Sequence, residues 1–152
     1  MPQLTLHSPV GELTVTEEDG AIVSVDWGRG PKSQQGDTPL LREAKRQLDL
    51  YFDGKLKEFD LPLRPAGADF EQQVWQEMLR IPYGETRSYG EVATAVGNAA
   101  RAVGGACGAN PIPIIIPCHR ILAAQGKIGG YSGRGGVETK VALLRLEGAS
   151  LL

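Results

Sequence analysis

Ser88-Tyr89-Gly90-Glu91-Val92-Ala93-Thr94-Ala95-Val96-Gly97-Asn98-Ala99-Ala100-Arg101-Ala102-Val103-Gly104-Gly105-Ala106 is the stretch whose reading decides the fold. Ser88 with Glu91 three positions on is a capping box, each side chain bonding the other's backbone N–H, so a helix opens here. Gly97 ends it, and Asn98 can cap a second helix running through Ala106. Helix, short turn, helix is both a DNA-reading motif and a common way of packing a core. Two features of the second helix favour a groove. Gly104 and Gly105 each cost it about 0.5–1 kcal/mol relative to alanine, and its side chains are nearly all small except Arg101. A helix that narrow can approach a sugar-phosphate wall at backbone distance.

Upstream, Phe70, Val74, Trp75, Met78 and Leu79 recur on one helical face that stops before Pro82, and Asp69 with Gln72 resembles a second capping box. The Pro- and Gly-rich run Leu61-Pro62-Leu63-Arg64-Pro65-Ala66-Gly67 reads as a linker. Before it, Leu4-Thr5-Leu6, Leu13-Thr14-Val15 and Ile22-Val23-Ser24-Val25 alternate in polarity around an Asp19-Gly20 turn, the signature of an antiparallel sheet. Thr38-Pro39 then opens a helix carrying Leu40, Leu41, Ala44, Leu48 and Tyr51. Lys57 to Leu63 is a candidate edge strand, because Pro62 excludes a central one. The expected organisation is an α/β (α+β) chain. An N-terminal α/β domain spans 1–62, a linker 63–68, and a mostly helical domain with the helix-turn-helix 69–152.

Downstream, Asn110-Pro111-Ile112-Pro113-Ile114-Ile115-Ile116-Pro117-Cys118-His119-Arg120 brings a short apolar run, expected to be a buried strand, up to a thiol. Cysteine attacks as thiolate, and an unperturbed pKa of about 8.5 leaves only a few per cent ionised near neutrality. Neighbours in an extended strand face opposite ways, so a Cys118–His119 relay needs either a turn or a bridging water. The competing reading is a buried, inert core thiol, the ordinary fate of a lone cysteine. Farther on, Gly126 to Gly136 is a glycine-rich loop without the Lys-Ser/Thr of a phosphate loop, and a last helix from Val137 ends at Gly148. Glu147 closes that helix, where the dipole disfavours a carboxylate, and so needs a partner.

Composition narrows the classes. The chain has 152 residues, 41% hydrophobic and 22% charged, with a formal net charge of -2, as expected of a globular protein that does not bind polyanions indiscriminately. Between Arg101 and Arg145, however, lie six basic residues (Arg101, Arg120, Lys127, Arg134, Lys140, Arg145) against Glu138 alone. This run is either a phosphate-facing surface or an ordinary solvated face. No apolar run reaches the roughly 20 residues of a membrane span and no signal peptide is visible, so a cytoplasmic, non-membrane protein is expected. The two cysteines, Cys107 and Cys118, are too few for a disulfide framework, and no metal-ligand spacing is present, so neither metal nor cofactor is expected. Cys107, among small neighbours, is expected to be an inert packing thiol.

Pro117-Cys118-His119-Arg120, with Gly108-Ala109-Asn110-Pro111 before it and Gly130-Tyr131-Ser132-Gly133 after it, resembles the active-site signature of the O6-alkylguanine-DNA alkyltransferases, the methylated-DNA-protein-cysteine methyltransferases. The agreement runs in order from about Phe70 to Gly148. The resemblance implies a ribonuclease-H-like N-terminal domain and a single-turnover repair protein for double-stranded DNA containing O6-alkylguanine. It would be monomeric, with cooperation between copies on DNA left open. As catalytic residues it implies Cys118 as alkyl acceptor, His119 taking its proton through water, Glu147 orienting the imidazole, Asn110 shaping the turn and Tyr89 assisting the leaving guanine. As DNA-binding residues it implies Ala99, Ala100, Gly104, Tyr89 and Arg120, with Arg101 as the finger entering the base stack from the minor groove. Tyr131, Ser132, Pro113 and Lys140 would form the alkylguanine pocket. Some members carry zinc in the N-terminal part, but this chain has only His7 there and no cysteine. The turn around Gly97-Asn98 is two residues shorter than in some members, and Gly108 stands where a basic residue is common. A thiol hydrolase using Cys118, His119 and Glu147, which would turn over, and a non-catalytic reader of alkylated DNA are the alternatives. The chain has no obvious oxyanion motif for the first, and readers of the second kind replace the nucleophile.

Overall fold

In the computed structural model, which describes residues 1–150, the chain divides into two compact units, Met1–Ala66 and a second from Gly67. In the first, β1 (Gln3–Leu6), β2 (Leu13–Glu18) and β3 (Ala21–Trp27) form an antiparallel sheet in the order β1-β2-β3. Asp19 and Gly20 both take positive φ, 49° and 80°, which closes the β2–β3 hairpin with the twist its strands need. Helix α1 (Pro39–Phe52) starts where the Thr38 hydroxyl accepts the Leu41 N–H at 3.1 Å, and it packs on β1 and β2. Leu13, Val15 and Ile22 of the sheet and Leu41, Ala44, Leu48 and Tyr51 of α1 are fully buried. The candidate edge strand over Lys57–Leu63 reduces to one bridge, Ile22 to Leu63, with the Ile22 N–H donating to the Pro62 carbonyl at 2.8 Å. Proline at 62 leaves too few donors for a longer ladder.

The second unit is built on α2 (Asp69–Leu79), α3 (Tyr89–Val96) and α4 (Ala100–Gly108), which pack on one another, and it closes with α5 (Val137–Leu146). Helix α2 begins one register earlier than expected: Ala68 is the cap residue, and the Glu71 carboxylate, not Gln72, receives its N–H at 2.8 Å. The box at α3 forms as expected, Glu91 N–H to Ser88 Oγ at 3.0 Å and Ser88 N–H to Glu91 Oε1 at 2.9 Å. Gly97 ends α3 in the left-handed region. Asn98 does not cap α4; Ala99 does, and Asn98 Oδ1 instead accepts the Ala99 N–H. Buried Trp75 donates its indole N–H to the Ala106 carbonyl at 2.9 Å, fixing α4 against α2. Among the described residues no helix is long and apolar enough to cross a membrane.

The apolar run before the thiol is not a strand. Ile112 to Ile116 fold into a tight turn, with the Ile116 N–H donating to the Ile112 carbonyl at 2.9 Å and Ile114 at a φ of 73°. Prolines at 111, 113 and 117 remove the donors a ladder would need, and Asn110 replaces them: its Oδ1 accepts the Ile112 N–H and its Nδ2 donates to the Ile116 carbonyl, both at 2.9 Å. Cys118–Arg120 then form one 3-10 turn, followed by β5 (Ile121–Leu122), which pairs in parallel with β4 (Arg87–Ser88). That short pairing sets the start of α3, and with it Tyr89, beside the thiol-bearing turn.

Candidate active site and nucleic-acid interface

Cys118 stands at the head of its 3-10 turn, its N–H bonded to the Ile116 carbonyl at 2.8 Å. It is 6% exposed, at one wall of a recess of about 190 Å3. Tyr89, Tyr131 and Ser132 line the same recess, as do Gly104, Cys107 and Gly108 from α4 and Gly130 from the loop before α5. Burial is the largest influence on the Cys118 thiol and raises its pKa; a hydrogen bond from the Asn110 side chain and the Lys140 charge act against burial without overcoming it. Tyr89 is pushed up to about 12, first by burial, so it keeps its proton as a donor. Burial moves Tyr131 in the same direction.

Behind the thiol, the Glu147 carboxylate is met by two side chains, and by the Gly84 N–H at 3.5 Å. Its Oε2 lies 2.7 Å from His119 Nε2, while Arg120 donates Nε to Oε1 at 2.8 Å and Nη2 to Oε2 at 3.1 Å. Arg120 also donates Nη1 to the Ile81 carbonyl at 2.7 Å and lies over the Tyr83 ring, 5.9 Å from its centroid. The carboxylate can only accept, so the hydrogen of a neutral imidazole sits on Nε2 and Nδ1 is left as a bare lone pair. Nδ1 is buried and has no hydrogen-bond partner among the described residues. Burial, the first cause, lowers the His119 pKa, and the Glu147 contact opposes it. The imidazole is thus held neutral, with one nitrogen ready to take a proton.

The expectation that Arg120 faces DNA phosphate is overturned. The residue is 7% exposed, and most of its donors are used on Glu147 and Ile81. Lys140 is buried too, its Nζ donating to the Gly130 carbonyl at 3.1 Å and lying 5.8 Å from the Tyr89 ring centroid. Burial lowers its pKa. Neither Lys140 nor Pro113, which is buried in the turn, is among the residues lining the recess; Lys140 touches it through the Gly130 carbonyl and the Tyr89 ring. Of the six basic residues in the run, Arg101, Lys127, Arg134 and Arg145 remain exposed.

Helix α4 turns Val103, Ala106 and Cys107 inward and exposes Ala99, Ala100, Arg101 and Gly105. At Gly104, Gly105 and Gly108 an added Cβ would meet nothing within 4 Å, so the outer face is open space over backbone. Sequence reasoning missed that Cys107 and Gly108 face the recess. Their spacing from Gly104, three and four positions along a helix, is the signal that could have found them.

Residues 69–149 match the family described as the 6-O-methylguanine DNA methyltransferase DNA-binding domain, and residues 3–65 match the ribonuclease-like domain of the same methyltransferase. A methylated-DNA–protein-cysteine methyltransferase of Methanosarcina acetivorans is 44% identical over 151 residues, covering 94% of this chain and 96% of its own. The constitutive enzyme of that name from Bacillus subtilis is 44% identical over 154 residues, covering 94% and 93%. A Mycobacterium tuberculosis protein crystallised in complex with DNA superposes with a TM-score of 0.86 at 45% identity, covering 97% of this chain and 93% of that one.

Proposed function

The chain belongs to the 6-O-methylguanine DNA methyltransferase family, and we propose that it repairs O6-alkylguanine in duplex DNA by moving the alkyl group irreversibly to Cys118. The observation that carries this reading is the recess in which Cys118 meets Tyr89 and Tyr131, backed by a neutral His119 whose Nδ1 lacks a partner. An alkylated guanine in the stack is out of reach of any side chain, so the nucleotide must first be extruded, at a few kcal/mol. The bare outer face of α4 suits close approach to the duplex, and Arg101, exposed in its first turn, supports the reading that its side chain fills the vacated stack.

In the recess, the Cys118 thiol gives its proton towards His119 Nδ1 through a water, and Glu147 stabilises the imidazolium that forms. Sulfur attacks the alkyl carbon, the carbon–oxygen bond breaks, and the guanine takes up a proton, for which the Tyr89 phenol is the available donor. The raised pKa of the resting thiol means that reaction waits on a base to take its proton, which is the task of His119. The product is a thioether, which has no activated carbonyl for water to attack, so each molecule acts once. Intact mass after incubation with duplex DNA containing O6-methylguanine tests this. One methyl per protein, mapped to Cys118 and absent in Cys118→Ser, is expected; steady turnover of an ester substrate would point to a thiol hydrolase instead.

A further inference from the structure

The second cysteine has no part in that chemistry, yet it shares the recess: Cys107, 9% exposed, lies in the last turn of α4 and lines the cavity that Cys118 lines from its 3-10 turn. Asn110 ties the two supports together. Its N–H bonds the Cys107 carbonyl at 3.3 Å, and its Nδ2 holds at 2.9 Å the Ile116 carbonyl that also accepts the Cys118 N–H at 2.8 Å. We propose that Cys107 and Cys118 form a redox pair, in which a peroxide joins them as a disulfide that withdraws the nucleophile and a dithiol reductant restores it.

A disulfide needs Cα atoms roughly 4.4–6.8 Å apart. Closing the pair to that range moves the last turn of α4, where a Cβ added at Gly104, Gly105 or Gly108 would meet nothing within 4 Å and the helix stops directly after Cys107's neighbour. In the first step the Cys118 thiolate attacks the peroxide, forming a sulfur–oxygen bond and releasing hydroxide, which takes up a proton to leave as water. In the second, the Cys107 sulfur attacks the Cys118 sulfenic sulfur, the sulfur–oxygen bond breaks and water leaves. Two thiols and one peroxide thus become one disulfide and two waters. The order is favoured electrostatically: Cys107 is raised first by burial and next by the Cys118 charge, while Lys140 pulls the other way. Converting Cys118 to a neutral sulfenic acid removes the second influence and leaves the attraction of Lys140.

The loss of alkyl transfer on oxidation rests on the function proposed above; the bond itself does not. Both cysteines fall in one tryptic peptide, Ala102 to Arg120. Wild type and Cys107→Ser are treated with hydrogen peroxide, labelled with iodoacetamide under denaturing conditions, and mapped by mass. The wild-type peptide is expected to lose two hydrogens, to take no label, and to take two labels after dithiothreitol, with methyl transfer falling and then recovering relative to the same protein before oxidation. Cys107→Ser, and Cys107→Ala should serine destabilise the helix, is expected to gain oxygens on Cys118 that dithiothreitol does not remove. Added oxygen on wild-type Cys118 beside a labelled Cys107, or a disulfide between two molecules, overturns the proposal. A mapped disulfide in a protein that transfers no methyl at all overturns the proposed function and leaves the pair standing.

Discussion

Arg120 and Glu147 form a two-point ion pair inside the protein, 2.8 Å between Nε and Oε1 and 3.1 Å between Nη2 and Oε2, with side-chain exposures of 8% and 0%. The third residue of the motif, which sequence alone reads as a phosphate contact, is therefore a clamp on Glu147. Removing one partner of a buried pair strands the other's charge, at about 3–5 kcal/mol. Arg120→Ala is expected to lose stability of that order in urea unfolding. Arg120 is buried and held by Glu147 and Ile81, so the salt dependence of DNA binding should keep its slope, whereas loss of a phosphate contact would flatten the slope by about 1. A flattened slope in a folded Arg120→Ala protein would return Arg120 to the DNA.

Arg101 is exposed on a helix whose other outward residues have almost no side chain. Only a duplex needs a wedge, so Arg101→Ala should slow methyl transfer from duplex DNA far more than transfer from the free O6-alkylguanine base. Single-turnover rates on both substrates decide it. Equal losses would place Arg101 outside base extrusion.

The neutral His119 predicts how proton removal limits the rate. His119→Ala should slow transfer by about 10²–10⁴-fold at neutral pH, the ordinary contribution of a general base, with part of the loss recovered as rising pH ionises Cys118 directly. Glu147→Gln should act in the same direction, because it removes the charge that stabilises the imidazolium, and should also unpair Arg120. If the His119→Ala deficit is constant from neutral to alkaline pH, proton removal is not what His119 supplies.

His119 also predicts a pH dependence of stability. Its folded pKa is lowered from 6.5, chiefly by burial, so the unfolded chain binds the proton more readily. Stability from this site is complete above about pH 6.5 and declines as pH falls from there towards the folded value. Urea midpoints in wild type should drop over that range, and His119→Gln should drop less. Equal drops would assign the acid sensitivity to other groups.

How much of this was legible in the sequence depended on whether the deciding interaction was local. Thr38 with Leu41, and Ser88 with Glu91, cap their helices over three positions, so their residue types sufficed. Glu147 was legible as an anomaly, an acid at the wrong end of a helix, but Arg120 and His119 lie 27 and 28 positions from it, and no local rule names them. The isoleucine run misled because β-branched residues buried in a turn and in a strand look alike. The three prolines and the Asn110 side chain decided between the two. The same limit hid the burial of Arg120, whose charge in a list of basic residues looks like any other.

Lys140 offers the sharpest separation of stability from chemistry. It is fully buried, its Nζ donating to one backbone carbonyl at 3.1 Å, and its charge opposes the rise in the Cys118 pKa. Burial lowers the ammonium's own pKa from 10.5, so folding works against its protonation at neutral pH and holding the charge inside costs stability. Lys140→Met, of similar length and uncharged, relieves that cost and should leave the urea midpoint unchanged or higher. It also removes the cation that favours the thiolate, so the pH at which methyl transfer reaches half its maximum should move upward, with the rate near neutrality falling while the alkaline limit is retained. The check is a pH–rate profile from single-turnover mass measurements beside an unfolding curve on the same preparation. A variant that is less stable and slower by the same factor at every pH would show that Lys140 only fills space, whereas a shifted profile in an equally stable protein identifies the buried charge as what tunes Cys118.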